Sequence, residues 1–280
     1  MTWPLRPIAG AFVVLVVAGA WPADAQAQKA DAATLFDVLR LAEFVALMRD
    51  EGLDSAGETG DGLFGGRAPA EWMEAVDAAY DTARMEREVM AALEEASTGI
   101  DLDPIVAFFG TAPGAEFIEL ELAARRSLLD DDVEQMAREA AAVAMAEQSP
   151  LFAQIERFVT ANDLVEANVV ATMNSSYAFS LGLMDGGGLP VDVTEDDILA
   201  DIWGQEADFR ATTQDWIYSF LLLAYGPAAP EDLETYIAFS ETEAGQTANR
   251  IVFGAFDGMF EGISISLGRT AARLLTSEEL

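Results

Sequence analysis

The chain has 280 residues, with 15 basic side chains against 49 acidic ones for a formal net charge of −34, 51% hydrophobic residues, and neither cysteine nor histidine. This composition excludes a thiol nucleophile, an imidazole base, a Ser-His-Asp triad and any His- or Cys-ligated zinc or haem within the chain. So acidic a surface repels phosphate backbones and anionic membranes, which excludes nucleic acid as a partner, while the periodic apolar runs exclude disorder.

The first predicted element is an export signal. Arg6 precedes an apolar run over 8–20, and Ala23, Ala25 and Ala27 follow at alternate positions. This is the charged, apolar and small-residue order of a signal peptide, assigned to residues 1–25 with cleavage after Ala25 or Ala27. The run is shorter than the ~20 residues of a spanning helix. No later segment reads as long and uncharged enough to cross a bilayer, so no integral span is expected after cleavage.

Leu35, Val38, Leu39, Ala42, Val45 and Ala46 follow the i, i+3, i+4, i+7 spacing of an amphipathic helix. The stretch DSAGETGDGLFGG at 54–66 reads as a glycine-rich turn, and Ala68-Pro69 places proline at the first position of the helix carrying Trp72. DLDPIVAFF at 101–109 predicts a short helix with an aspartate cap, Pro104 in its first turn, and Phe108. Thr111 stands as N-cap of the long helix that follows, Pro113 is tolerated in its first turn, and Gly114 leaves room for a backbone or a ring. Asp130, Asp131 and Asp132 read as a cap and first-turn acids favoured by the helix dipole.

Ser149-Pro150 opens a further helix. NSSYAF at 174–179 sets Asn174 and Ser175 inside an apolar helix, either to bond neighbouring helices or to line a pocket. DGGGLP at 185–190 is a second glycine-rich turn. Thr194 with Asp197 resembles a capping box, next to Glu195 and Asp196. Ile198, Leu199, Ile202, Trp203 and Phe209 repeat the helical spacing, and IYSFLLLAY at 217–225 reads as a buried helix. DLETYIAF at 232–239 is a short helix carrying Phe239, after which Thr242 and Gly245 repeat the cap and the small residue.

The last helix carries Gly254, Gly258 and Gly262 at every fourth position, with Phe253, Phe256, Phe260, Ile263 and Leu267 on another side and Asp257 and Glu261 between. Each glycine costs roughly 1 kcal/mol relative to alanine inside a helix. Three in register therefore predict a close-packed stripe, within the chain first and as a homodimer seam second. No alternating strand pattern occurs, and the predicted fold class is all-α.

AFFGTAPG at 107–114 and AFSETEAG at 238–245 share Ala, Phe, Thr and Gly at the same four positions. At the same offset of 131, and without a gap, Asp54, Gly57 and Asp61 meet Asp185, Gly188 and Asp192, and Trp72 meets Trp203. Arg138 meets Arg269 likewise. The expectation is an internally duplicated helical bundle, with similar units at 31–148 and 150–276 packed together. The repeated motif, with Phe108, Thr111 and Gly114 answered by Phe239, Thr242 and Gly245, reads as a helix-break-helix corner. Its functional rival is an anion held at the exposed helix N-terminus.

PEDLETYIAFSETEAGQT at 230–247 resembles the motif of the bacterial family called domain of unknown function 2059: an acidic residue and Leu, then Ile-Ala-Phe, then a Ser/Thr-x-x-Gly corner. The best match spans 230–260, and 101–114 is a weaker second copy. Ser240 stands where family members often have Tyr, and Ala244 stands where Pro113 stands in the first copy. The resemblance implies an exported helical domain, carries over no catalytic residue, and together with the signal peptide makes the periplasm the expected compartment.

Among the acids, the repeated Asp54/Asp61 and Asp185/Asp192 pairs are the metal candidates, with calcium as the hard cation that carboxylates suit. Paired carboxylates could also serve glycoside hydrolysis, with Glu119, Glu121, Asp257 and Glu261 as candidates. No nucleophile elbow or phosphate loop is present, and no cofactor is implied. The leading expectation is an exported protein that binds an envelope protein or an apolar ligand between its units. The alternatives are a carboxylate-dependent, calcium-assisted envelope hydrolase and a purely structural homodimer.

Overall fold

The described residues, 29–278 of a computed structural model, are helical and contain no strand. The export signal assigned to 1–25 lies outside them. The first half holds α1 (Ala32–Val38), α2 (Leu41–Leu63), α3 (Ala70–Ala79), α4 (Thr82–Ala96), α5 (Asp103–Phe109), α6 (Ala112–Ser127) and α7 (Asp131–Ala146). The second holds α8 (Pro150–Ala161), α9 (Leu164–Asp185), α10 (Glu195–Gly204), α11 (Glu206–Tyr225), α12 (Pro230–Ser240) and α13 (Glu243–Glu278).

Local chemistry accounts for most helix starts. Asp31, Asp81, Asp130 and Ser149 each accept a backbone N–H of the turn they cap. Thr194 and Asp197 form the reciprocal capping box. The acidic runs at 130–132 and 195–197 are thus caps and first-turn acids, set against the positive end of the helix dipole. Three helix joints turn on a left-handed non-glycine residue, Arg40 with φ 41° between α1 and α2, Gln148 with φ 50° between α7 and α8, and Asp163 with φ 51° between α8 and α9. The joint at Arg40 turns the apolar face: beyond it Leu41, Phe44, Val45 and Met48 are buried, while Ala42 and Ala46 face out.

The halves interlock. α6 and α7 of the first half lie on α11 of the second, and α13 of the second lies along α9 and against α3 and α4 of the first. One buried cluster runs from Ala32 to Ala272, and a smaller one joins Val169, Met173, Ile198, Ile202 and Phe209. Among the described residues the halves differ in helix count, seven against six, because of one break. α6 stops at Ser127, and α7 starts afresh under the Asp130 cap, whereas α13 continues unbroken for 36 residues.

Several expectations are corrected. Residues 54–63 are not a turn, because α2 runs through them to Leu63 and only 64–69 link it to α3. Two glycines of α2 belong to packing: a Cβ on Gly52 would enter the Tyr80 ring, and one on Gly60 would sit 2.6 Å from the Trp72 indole nitrogen. Pro69 is the N-cap of α3 and not its first residue. α5 and α12 are capped by Leu102 and Ala229, so neither Asp101 nor Asp232 is a cap.

The gapless register also fails early. The joints at Arg40 and Asp163 are separated by 123 positions, and Asp54 and Asp61 lie within α2 while Asp192 lies in the linker after α9. The glycine stripe is not packed. A Cβ on Gly254, Gly258 or Gly262 would meet nothing within 4 Å, because the stripe is the outer face of α13. The glycine of α13 that packs against α9 is Gly268, where a Cβ would enter the Phe179 carbonyl and lie 3.0 Å from the Gly182 Cα. By length and composition alone α13 is apolar enough to cross a membrane, contrary to expectation, and most of that apolar window is buried inside the fold.

Candidate functional site

The two copies of the repeated motif share a threonine–carbonyl bond and a glycine contact. The Thr111 hydroxyl donates to the Phe108 carbonyl at 2.6 Å, and the Thr242 hydroxyl donates to the Phe239 carbonyl at 2.6 Å. A Cβ on Gly114 would enter the Phe108 carbonyl, and one on Gly245 would enter that of Phe239. The two glycines therefore let each short helix press its C-terminal backbone onto the long helix that follows. Thr242 also accepts the Gly245 N–H at 3.1 Å. Thr111 makes no such bond, so only the second threonine caps with its side chain. The corners meet through Phe108 and Phe239, joined by Phe109 and Tyr236. They build a half-buried contact, and a cavity of about 60 Å³ lined by Phe109, Tyr236, Phe239 and Gly245 lies beside it.

The chemistry gathers elsewhere, where α6 breaks from α7. In α6, Ile118, Glu121, Leu122 and Arg125 fall three and four residues apart on one buried face. Arg125 therefore points inward, and its side chain is fully buried. Its Nε and Nη2 donate to the two carboxylate oxygens of Glu51 on α2 at 2.7 and 2.6 Å, a bidentate pair. Its guanidinium carbon lies 5.7 Å from the centre of the Trp216 ring on α11, within cation–π reach. Its Nη1 is buried without a hydrogen-bond partner. A buried donor left unpaired is costly, and marks where another acceptor belongs.

Beside Arg125 lies a cavity of about 140 Å³ between α2, the α6–α7 corner, α11 and α13. Its charged lining is Glu51, Asp54, Asp131, Glu134, Arg138 and Arg125, and its apolar lining includes Met48, Leu128, Trp216 and Phe260. Arg138 pairs with Glu134 at 2.6 Å, and its Nε is also buried and unpartnered. Tyr80 stands at one side, its phenol pushed up by burial and by the Glu51 charge, and so neutral. Across Tyr80, Gly52 and Ser55, which both spaces share, is a second cavity of about 50 Å³. Ser175 and Ser176 line it beside Ser264, whose hydroxyl is buried without a partner. This places the serines of the 174–179 stretch at a pocket, with the Ser176 hydroxyl donating back along its own helix to the Thr172 carbonyl.

One turn before Arg125, Glu121 is sealed in the core. Burial pushes its carboxyl up to about 8, against the lowering effects of the Tyr225 hydroxyl, which donates to it at 2.5 Å, and of the Arg125 charge. Burial also raises Asp257 to about 6, with Glu261 adding to the shift.

The other predicted site residues are dispersed. Asp54 faces the Arg125 cavity, Asp61 accepts the Ala68 N–H at 2.8 Å, and Asp185 pairs with Arg269 at 2.8 Å. Asp192 is exposed in the linker. Among the described residues no group of three or more acids is arranged to hold a metal, so the four do not form the expected site. Glu119 pairs with Arg40 on the surface, facing away from the buried Glu121. Trp72 is buried and donates to the Ala56 carbonyl at 2.9 Å, whereas Trp203 is 67% exposed, so the two tryptophans are not structural counterparts.

Sequence reasoning did not single out Arg125. The signal for it was its place three and four residues after Leu122 and Glu121 on the apolar face. In comparisons with protein families, curated proteins and solved structures, the chain matches none.

Proposed function

We propose that this is an exported helical binding protein that holds a small ligand in the Arg125 cavity, between its two halves. The observation that carries the reading is the buried Arg125, with an unpartnered Nη1 beside a cavity of about 140 Å³. That is the scale at which a protein cavity admits a ring-sized molecule. A concave site with apolar walls and a few convergent polar groups is the usual form of a ligand pocket. Export to the periplasm rests on the sequence pattern of residues 1–25.

In this reading the halves are copies of one unit of the domain of unknown function 2059 type. The matched corners, the left-handed joints at Arg40 and Asp163 and the shared order of short and long helices support that. In this reading the site lies where the copies diverge: the cavity is lined from α2 and from both sides of the α6–α7 break, while α13 runs unbroken along α9. The carboxylate-dependent hydrolase draws no support from the dispersed acids.

Native mass spectrometry of the mature protein, purified from an exporting host without added ligand, tests the reading. A bound small molecule is expected in the wild type and is lost in Ser55→Phe, which fills the space beside Tyr80. A wild type that is ligand-free and gains no thermal stability from an extract of envelope metabolites overturns it. One observation favours a second reading, a homodimer, because Gly254, Gly258 and Gly262 are exposed on α13. Light scattering that gives a monomer mass across micromolar concentrations removes it.

A further inference from the structure

We infer that the ligand of the Arg125 cavity is a small zwitterion, with ammonium and carboxylate on one molecule and an apolar side group, the chemistry of a free amino acid. The inference rests on the ligand-binding reading above and specifies its substrate class.

The charges lining the cavity select this class. Arg125 is matched by Glu51 and Arg138 by Glu134, each in an ion pair. Asp54 and Asp131 line the same cavity, are exposed, and pair with no cation among the described residues. The lining thus has two buried N–H donors without acceptors, Arg125 Nη1 and Arg138 Nε, and two carboxylates without cations.

A simple anion would satisfy the donors but enter against an excess of acids, in a chain of net charge −34. A bare metal ion would face two guanidiniums, and no cluster of three acids is there to hold it. A neutral apolar molecule would leave both donors unpaired, which is the costly outcome for buried groups. A zwitterion answers both: its carboxylate accepts from the arginines, and its ammonium is drawn to Asp54 and Asp131. The apolar wall of Met48, Leu128, Trp216 and Phe260 suits an uncharged side group, and the cavity volume limits it to a small one.

Calorimetric titration of the mature protein tests this with three matched probes: L-leucine, 4-methylpentanoate, which lacks the amine, and 3-methylbutylamine, which lacks the carboxylate. L-phenylalanine and L-methionine extend the series. At least one amino acid is expected to bind at least tenfold more tightly than the acid and the amine. The double variant Asp54→Asn with Asp131→Asn is expected to lose at least tenfold of that affinity with only a small fall in melting temperature, since both residues are exposed and only the dipole contact of Asp131 at the start of α7 is lost.

Equal binding of 4-methylpentanoate would make this an anion site and overturn the inference. Binding of no amino acid, by a protein that nonetheless co-purifies with a ligand lost in Ser55→Phe, overturns the zwitterion and leaves the binding reading standing. Binding of none of the probes, together with a ligand-free native mass, overturns both.

Discussion

Phe108 and Phe239 stack face to face between the two halves, ring centres 3.8 Å apart and planes 3° from parallel. Each sits at the end of a short helix, just before a Thr-x-x-Gly corner, so the same position of the two motifs touches itself. Aromatic pairs contribute about 0.5–1.5 kcal/mol beyond the area they bury. A double-mutant cycle of Phe108→Leu and Phe239→Leu, read by urea unfolding, should return a coupling energy in that range. A coupling near zero would mean that the stack joins the halves by area alone.

The corner threonines should not behave alike. Both hydroxyls donate to a phenylalanine carbonyl, but only Thr242 also accepts an N–H from the first turn of its helix. Thr242→Ala should cost about 1 kcal/mol, the usual loss for an N-cap, and Thr111→Ala clearly less. Equal losses in chemical denaturation would refute the difference in capping.

The glycines of α13 give a paired test. Gly258→Ala adds a methyl on an open face and should stabilise by about 1 kcal/mol through helix propensity. Gly268→Ala drives a methyl into the backbone of α9 and should lower the melting temperature. A destabilising Gly258→Ala would show that this face is covered in solution, as a dimer requires.

Breaking the Arg125–Glu51 pair should be asymmetric. Glu51→Met strands a fully buried guanidinium and should cost about 3–5 kcal/mol. Arg125→Met leaves Glu51, which is 22% exposed and can hydrate, and should cost less. Equal losses in urea midpoints at constant slope would argue against a cation held deep and a carboxylate held near water.

Stability should also depend on Glu121. Its folded carboxyl titrates near 8 against an ordinary 4.5, so the folded state keeps a proton that the unfolded chain gives up. The contribution is complete below about pH 4.5 and is lost as pH rises through about 8. Wild type should therefore lose melting temperature between pH 5 and pH 8.5 relative to Glu121→Gln, which carries no such charge. Parallel pH profiles would show that Glu121 is ionised in the fold.

Much of the fold was legible because short-range chemistry writes it. The capping box at Thr194 and Asp197, the proline at Pro150 and the corner glycines each act within a few residues. The misreadings were of long-range effects. Gly60 read as a turn residue until the ring of Trp72, from another helix, comes to lie on it. The stripe of Gly254, Gly258 and Gly262 read as buried because glycine inside a helix asks for a reason, and no local rule says which side a neighbour takes. The candidate site was the least legible part, since it is set by tertiary contact. Asp54 was picked for a metal and instead faces a cavity with arginines, and Glu51 and Arg125 meet across 74 positions of chain.

In a chain without histidine, a carboxyl buried at Glu121 has a further consequence. Near neutral pH the fold stores a proton that water would otherwise take, so unfolding acidifies the solution by about one proton per molecule. The heat absorbed on melting then includes the heat of protonating the buffer. Calorimetry in phosphate and in Tris should return different unfolding enthalpies for the wild type, and matching ones for Glu121→Gln.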